Sequence, residues 1–181
     1  MRADARKNHD HLLAVAGAVI AEDGVDASLR DIARRAGVGL ATLLRHFPTR
    51  EALLDALLRA NFDELAKKAA DLETSEPAAD ALVSWLREFV AHAHTYRGAM
   101  TVMMTAIADE KSALHTSCVA MRAAGTRLLA RAQAEGVART DIDGTDVFAL
   151  AGSLAWLGDQ PAVASRIDHL FTVVVSAILT C

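Results

Sequence analysis

Residues 28–47 decide the fold of this chain and read Ser-Leu-Arg-Asp-Ile-Ala-Arg-Arg-Ala-Gly-Val-Gly-Leu-Ala-Thr-Leu-Leu-Arg-His-Phe. The pattern predicts two short helices joined at Gly37, a residue type that adopts positive φ at little steric cost. Ala33 is small where the two helices approach each other, and Leu43 can pack back against Ile32. This arrangement is typical of a helix-turn-helix, a motif whose second helix enters the major groove of DNA.

The composition around this stretch predicts an all-α fold with a substantial core. The chain has 181 residues, of which 52% are hydrophobic and only 4% are aromatic. A hydrophobic fraction of this size argues against disorder, and abundant Ala and Leu favour helices over strands. The length suffices for one large domain, or for a small domain followed by a larger one.

Charge is distributed unevenly along the chain, whose formal net charge is −4. Residues 1–50 contain eight Lys and Arg against six Asp and Glu, and the remaining residues contain eleven against seventeen. Such asymmetry is a hint of nucleic-acid contact at the basic end. We expect the acidic part to face away from phosphate.

The sequence contains no feature that directs the chain to a membrane. No apolar run approaches the ~20 residues of a membrane span, and the polar N-terminus lacks the apolar core of a signal peptide. Cys118 and Cys181 do not make a disulfide framework, although one bridge between them stays an alternative. We therefore expect a cytoplasmic protein without a membrane partner.

Motifs of catalysis are absent from the sequence, which has no Ser-His-Asp pattern, Gly-rich phosphate loop or paired carboxylates. His92 and His94 lie two positions apart and point to different helix faces, so they cannot bind one metal together. His115 and Cys118 can be added to such a site, but it lacks carboxylate ligands. We predict neither an enzyme nor a metal or other cofactor.

Helical periodicity predicts about nine helices along the chain. Ser28 caps the second helix, with Asp31 in the place of a capping-box acid, and Thr49 caps the fourth. Pro48 ends the third helix, and Pro77 begins the fifth. The later helices are expected over roughly 99–109, 111–135 and 143–158, and from 161 onward. The pattern is three helices, a linker helix that reaches about residue 71, and a five-helix bundle.

The segment from Ser28 to Leu53 resembles the TetR family of bacterial transcriptional regulators, because it combines Ile-Ala-x-x-Ala-Gly-Val with His-Phe-Pro-Thr-Arg-Glu-x-Leu. The resemblance implies a helix-turn-helix DNA-binding domain over 1–50 and an effector-binding and dimerisation domain over 51–181. It further implies a homodimer at the bacterial nucleoid. This dimer would bind a palindromic double-stranded operator, most often as a repressor, and a small apolar effector would release it.

Three positions depart from the family pattern. Leu44 stands where the family usually has a phosphate-contacting tyrosine, Gly39 replaces a common serine, and Arg50 replaces the usual lysine. The change at Leu44 removes one hydroxyl donor to the DNA backbone. The arginine keeps the positive charge and can make a bidentate phosphate contact.

The candidate DNA-binding residues follow from the two faces of the recognition helix and from the resemblance. Leu43 and Phe47 are four apart and should point into the core. Arg45 is the best candidate for reading a base, since Arg can bond guanine O6 and N7 together, although a phosphate contact is the equal alternative. The full set is Arg6, Lys7, Ser28, Gly39, Leu40, Ala41, Thr42, Arg45, His46 and Arg50.

A set of aromatic, Met and His side chains is the candidate effector pocket, because such residues line apolar ligand sites. An ordinary core is the alternative for each of them. The set is Trp85, Phe89, His92, Tyr96, Met100, Met103, Met104, Ile107, His115, Cys118, Met121 and Arg122.

The last two helices are very apolar and predict a four-helix interface between two copies. The candidate interface residues are Phe148, Ala151, Ala155, Val163, Ile167, Leu170, Phe171, Val174 and Ile178.

Two other functions fit the sequence. One is a helical ligand-binding or catalytic protein that uses the helix-turn-helix only structurally, which predicts no salt-dependent DNA binding. The other is a constitutive DNA-binding protein whose core is filled and which has no effector.

Overall fold

The computed structural model describes residues 2–158 and 160–180, with side chains described from residue 7. This part of the chain contains ten α-helices and no named strand, so the predicted all-α class is confirmed. The helices are α1 Arg2–Asp23, α2 Leu29–Arg35, α3 Leu40–His46, α4 Arg50–Ser75, α5 Ala78–Thr95, α6 Arg97–Val102, α7 Met104–Ala108, α8 Ala113–Ala134, α9 Gly144–Leu157 and α10 Ile167–Ile178.

Two predicted boundaries are wrong. The helix expected over 99–109 is divided in two, because Met103 leaves the helical conformation with φ −95° and ψ 8° while its side chain is buried. The last helix starts at Ile167 rather than at Pro161. The carbonyl of Gln160 accepts from the amides of Val163 and Ala164, so these residues form a turn before the helix begins.

α2 and α3 form the predicted helix-turn-helix. Gly37 turns the chain with φ +70°, and the side chains of Ile32 and Leu43 are both 0% exposed between the helices. The Ser28 hydroxyl accepts from the Arg30 amide and caps α2. The capping-box role expected of Asp31 is wrong, because its carboxylate pairs with the Arg34 guanidinium one turn along α2.

α4 is a single helix of 26 residues that connects the helix-turn-helix to the bundle. The Thr49 hydroxyl accepts from the Ala52 amide and caps its start, as predicted. Its buried side chains run from Leu53 to Leu72 and pack against α1, α5 and α8. The helix ends four residues beyond the predicted end at residue 71.

The core of the bundle is built around an aromatic cluster of Trp85, Phe89 and Phe148. Trp85 stacks on Phe89 with ring centroids 5.6 Å apart, and both rings meet Phe148 edge-on at 5.7 and 5.3 Å. The Trp85 Nε1–H donates to the Leu65 carbonyl oxygen at 2.8 Å. Gly125 of α8 allows the close approach, since a Cβ there would lie 2.5 Å from Trp85 Cη2.

We expect Gly125→Ala to destabilise the protein by a net of about 1–2 kcal/mol. The added methyl overlaps a buried indole that is also held by a hydrogen bond, and overpacking of this kind costs about 1–3 kcal/mol, against a gain of up to about 1 kcal/mol in helix propensity. Gly152→Ala is the matched control, because nothing lies within 4 Å of a Cβ at that position of α9. It should stabilise the chain, and urea unfolding of the two variants should give shifts of opposite sign.

Candidate nucleic-acid interface and ligand site

The two faces of α3 differ as predicted. Leu43 and Phe47 are buried against α1 and α2, whereas Arg45 and Ala41 are exposed. The other predicted contact residues of this helix, Leu40, Thr42 and His46, are half-buried, as is Leu44. α3 therefore presents a short outer face on which Arg45 is the one Lys or Arg side chain.

Arg45 differs from Arg34 and Arg35 of α2 in having no ion pair within the described part of the chain. The Arg34 guanidinium pairs with Asp31, and that of Arg35 pairs with Glu22 and Asp23. The Glu22 carboxylate, through its hydrogen bond and its charge, raises the pKa of Arg35. Arg30 and Arg45 are thus the two arginines of α2 and α3 that have no ion pair among the described residues.

Arg30 is a basic residue that the sequence reasoning did not select. Its side chain is exposed at the first turn of α2 and forms no ion pair among the described residues. A cation at a helix N-terminus is unfavourable for the helix dipole. This unfavourable placement could have identified Arg30 from the sequence, because it indicates a role other than stabilising the helix.

The N-terminal part of α1 contacts the end of α3. The Asn8 amide lies 3.4 Å from His46 Nε2, the His9 ring lies 4.9 Å from that of Phe47, and His11 Nε2 lies 3.3 Å from the Ala36 carbonyl oxygen. His46 therefore faces α1 as well as the outer surface. Among the basic residues of this end, Lys7 is exposed, whereas the side chain of Arg6 lies outside the described residues.

The other predicted DNA-contact residues lie at the rims of α2 and α4. Arg50 is half-buried and donates from Nη1 to the Val25 carbonyl oxygen, so it connects α4 to the loop before α2. A guanidinium has five N–H donors, and four of them stay available for phosphate. Ser28 and Gly39 are exposed at the starts of α2 and α3, and Gly39 provides no side-chain cap.

The predicted effector residues do not surround one cavity. Trp85, Phe89, Met103 and Met121 are buried in the core, where Phe148 and Gly125 fill the space beside Trp85. Met104 is 56% exposed, and Arg122 is exposed with its guanidinium 5.2 Å from the Phe148 ring centroid. Four further members are half-buried at the edges of the core: Met100, Ile107, His115 and Cys118.

Two of these edge residues have defined surroundings. His115 Nδ1 lies 2.8 Å from the Ile107 carbonyl oxygen, which holds α8 against α7. Burial raises the pKa of the Cys118 thiol, and the Arg122 charge opposes this only in part. Cys118 is a free cysteine, and Cys181 lies outside the described residues.

The last two members of the predicted set, His92 and Tyr96, line an open groove between α1, α4 and α5 with a volume of about 560 Å³. The Asn61 amide nitrogen of α4 donates to His92 Nδ1, and His92 Nε2 lies 3.8 Å from the Glu88 carboxylate. Burial, followed by the Glu64 charge, raises the pKa of Tyr96. A second cavity of about 480 Å³ lies between α5, α9 and α10.

The predicted dimer residues lie mainly on the inner faces of α9 and α10. Ala151, Ala155, Phe171 and Ile178 are buried within the chain itself, so their side chains are not available to a second copy. Phe148, Ile167, Leu170 and Val174 are half-buried against the same core. Val163 is half-buried in the turn before α10. The outward apolar side chains of these helices are Leu150, Trp156 and Val173.

The described residues contain no group of three or more His, Cys, Asp or Glu side chains that could hold a metal ion. They also contain no helix of the length and apolarity that crossing a membrane requires.

Comparison with known proteins was made by sequence family and by structure. Residues 12–57 match the model of the bacterial regulatory proteins of the tetR family, and residues 76–178 match the C-terminal domain of SbtR-like transcriptional regulators. Curated protein sequences give no match.

Several crystal structures share the whole architecture. A TetR transcriptional regulator from Streptomyces coelicolor is 34% identical with a TM-score of 0.77, over 94% of this chain and 98% of that one. A TetR regulatory protein from Mycobacterium vanbaalenii is 29% identical with a TM-score of 0.73, over 99% of each chain. The regulator LfrR from Mycobacterium smegmatis, in complex with proflavine, is 25% identical with a TM-score of 0.70, over 98% and 99%.

Regulators of this kind are DNA-binding transcription factors without enzymatic activity. The helix-turn-helix geometry, the family match over more than half of the chain and the full-length structural likeness agree. The chain belongs to the TetR family of transcriptional regulators.

Proposed function

We propose that this regulator is a repressor that binds a palindromic operator as a homodimer and releases it when a small-molecule effector binds. The observation that carries the proposal is the exposed Arg45, unpaired among the described residues, on a recognition helix that Leu43 and Phe47 fix to the core. One relative agrees with this proposal, since LfrR was crystallised with the small molecule proflavine. The regulator then acts on DNA in the bacterial cytoplasm.

Its contacts with DNA divide into one contact to a base and several contacts that position the protein on the DNA backbone. Arg45 reads a base, because a guanidinium can bond guanine O6 and N7 together. Arg30 and Arg50 bind phosphates on either side of the recognition helix, and Lys7 adds charge from α1. The remaining contacts come from the ends and outer face of α2 and α3: Ser28, Gly39, Leu40, Ala41, Thr42 and His46.

The homodimer forms through the outer faces of α9 and α10. Trp156 is 62% exposed, and Leu150 and Val173 are also among the exposed large hydrophobic side chains. Such side chains are depleted on monomer surfaces and mark interfaces when they form a patch. A two-fold axis between the paired helices places two recognition helices on successive major-groove faces of a palindrome.

We expect Val173→Asp to convert the dimer into a monomer, because a buried carboxylate without a partner opposes association. Val119→Asp is the matched control, since Val119 on α8 and Val173 on α10 are both 50% exposed. The molar mass of each variant is measured by light scattering after gel filtration. A dimeric Val173→Asp, or a monomeric Val119→Asp, contradicts the proposed interface.

The experiment that tests the function is selection of bound duplexes from a random pool, followed by affinity measurement over a range of salt concentrations. We expect a palindromic sequence and a steep loss of affinity with salt, because Lys and Arg that neutralise phosphates release counterions. Binding without sequence preference would contradict the proposal that the protein recognises a specific operator. Absence of salt-dependent binding would instead favour a helical ligand-binding protein in which the helix-turn-helix is structural.

A further inference from the structure

We infer that the groove between α1, α4 and α5 binds a small primary ammonium ion with an apolar body, held by Glu64 and by the amide oxygen of Asn61. The site shares only His92 and Tyr96 with the predicted pocket, whose aromatic centre is filled by the protein itself. That its ligand is also the effector rests on the proposed function.

The strongest observation is the buried amide of Asn61. It is 7% exposed and is the buried polar residue of the described core. Its nitrogen donates to His92 Nδ1, whereas its oxygen has no hydrogen-bond partner among the described residues, although Asn61 lines the groove. The oxygen is not one of the fully enclosed polar atoms of the described residues that lack a partner, so it opens onto the groove, where a ligand that donates a hydrogen bond can reach it.

The second observation is the charge of the groove. Its lining includes the carboxylates of Asp10 and Glu64 and no lysine or arginine among the described residues. Glu64 also borders a smaller cavity on the other side of His92. That cavity adds two further carboxylates, Asp71 and Glu88, and the two ammonium groups of Lys67 and Lys68, so the combined lining is negative by two charges.

The third observation is the hydroxyl of Tyr96, which also lines the groove. The Glu64 charge acts on this hydroxyl, which forms no hydrogen bond within the described part of the chain. Its Oη lies against Gly17, 3.0 Å from the position that a Cβ there would take. Since burial and Glu64 raise the pKa of Tyr96, the hydroxyl stays protonated and its oxygen can accept from an ammonium ion.

These groups define the chemistry of the ligand. An ammonium ion has three donors and one charge, which match the Asn61 amide oxygen, the Tyr96 hydroxyl oxygen and the Glu64 carboxylate. The remaining lining is formed by small and apolar side chains, among them Leu13, Ala14 and Leu57. An arylalkylamine or alkylamine places an apolar body on this surface.

The groove also connects the ligand to the recognition helix. One wall is α1, whose residue His9 contacts Phe47 directly after α3, one turn from the groove residue Leu13. The opposite walls, α4 and α5, belong to the bundle. A ligand between them biases the position of α1, and an effector acts only through such a difference in affinity between two states.

The binding experiment uses the full chain without DNA and compares 2-phenylethylammonium with 2-phenylethanol, which has similar size but no charge. We expect the ammonium ion to bind at least about tenfold more tightly, since hydrogen bonds to charged groups are the stronger ones. Glu64→Gln should reduce this preference to within about threefold. Glu110→Gln is the charge-matched control, because Glu110 is exposed between α7 and α8 and lines neither cavity.

A second variant, Ala18→Phe, tests the location without changing charge. Ala18 is exposed on α1 and lines the groove, so the ring should fill it and abolish binding of the ammonium ion. Equal affinity for the alcohol, or unchanged binding in both Glu64→Gln and Ala18→Phe, overturns the site. No binding at millimolar ligand overturns it as well.

The effector role is measured separately as the operator affinity of the wild-type protein with and without saturating 2-phenylethylammonium. We expect a loss of at least about fivefold, the lower end of ordinary allosteric couplings. Binding of the ammonium ion with unchanged operator affinity refutes the effector role and leaves the site. Failure to bind any operator refutes the proposed function, while the binding experiment without DNA still decides the ammonium site.

Discussion

Arg45→Ala is expected to weaken operator binding by about 2–6 kcal/mol, the largest effect of any single change at the DNA interface. A bidentate arginine–guanine contact contributes about 1–3 kcal/mol of discrimination, and the proposed dimer has one in each half-site. The loss should be concentrated at one base pair per half-site, so that the variant no longer distinguishes the four bases there. Affinities for the selected operator and for its single-base variants measure this directly.

Arg50→Ala provides the contrast. In the proposed complex, Arg50 binds a phosphate from the start of α4 while it donates to the Val25 carbonyl. Its loss should therefore weaken all operator variants about equally and reduce the salt slope by about 1 per half-site. Arg127→Ala is the control for charge alone, because Arg127 lies on α8 in the bundle and is 54% exposed at its side chain. If Arg45→Ala and Arg50→Ala give the same profile, Arg45 contacts phosphate and not a base.

Trp85→Ala is expected to cost about 3–5 kcal/mol of unfolding free energy, the usual range for removing a buried aromatic ring. The indole is 0% exposed and contacts both Phe89 and Phe148. Its removal leaves a cavity between α5, α8 and α9 and also leaves the Leu65 carbonyl without its donor. Urea unfolding at several protein concentrations separates this loss from any change in dimerisation.

Trp85→Phe keeps the prediction testable if the alanine variant does not fold. Phenylalanine retains most of the ring contacts but cannot donate to the Leu65 carbonyl, so the cost should be smaller than that of alanine yet above about 1 kcal/mol. A cost for Trp85→Ala below about 2 kcal/mol would mean that neighbouring helices collapse into the space. The aromatic cluster would then not be the rigid centre of the bundle.

The helix-turn-helix could be predicted because its determinants are local in sequence. Gly37 requires a special φ, Ser28 and Thr49 cap helices within three residues of themselves, and Ile32 and Leu43 are apolar at the spacing that the motif needs. None of these inferences needed a contact between distant parts of the chain. The family resemblance rests on the same residues.

The bundle was harder to predict because an apolar stripe identifies a buried face but not the partner that buries it. On α10, Phe171 and Ile178 are covered by the chain itself, whereas the equally apolar Val173 points outward. At the junction of α6 and α7, the neighbours Met103 and Met104 differ in the same way. The groove was missed because its polar groups, Asn61 and Glu64, lie on a helix that the sequence marked only as a linker.

The length of α4 has a mechanical consequence. At 1.5 Å per residue, its 26 residues form an arm of about 39 Å. A tilt of about 5° at one end of such an arm displaces the other end by about 3.4 Å, which is the rise of one base pair. In the proposed dimer, small adjustments in the bundle would therefore be sufficient to move the recognition helices out of step with the helical repeat of the operator.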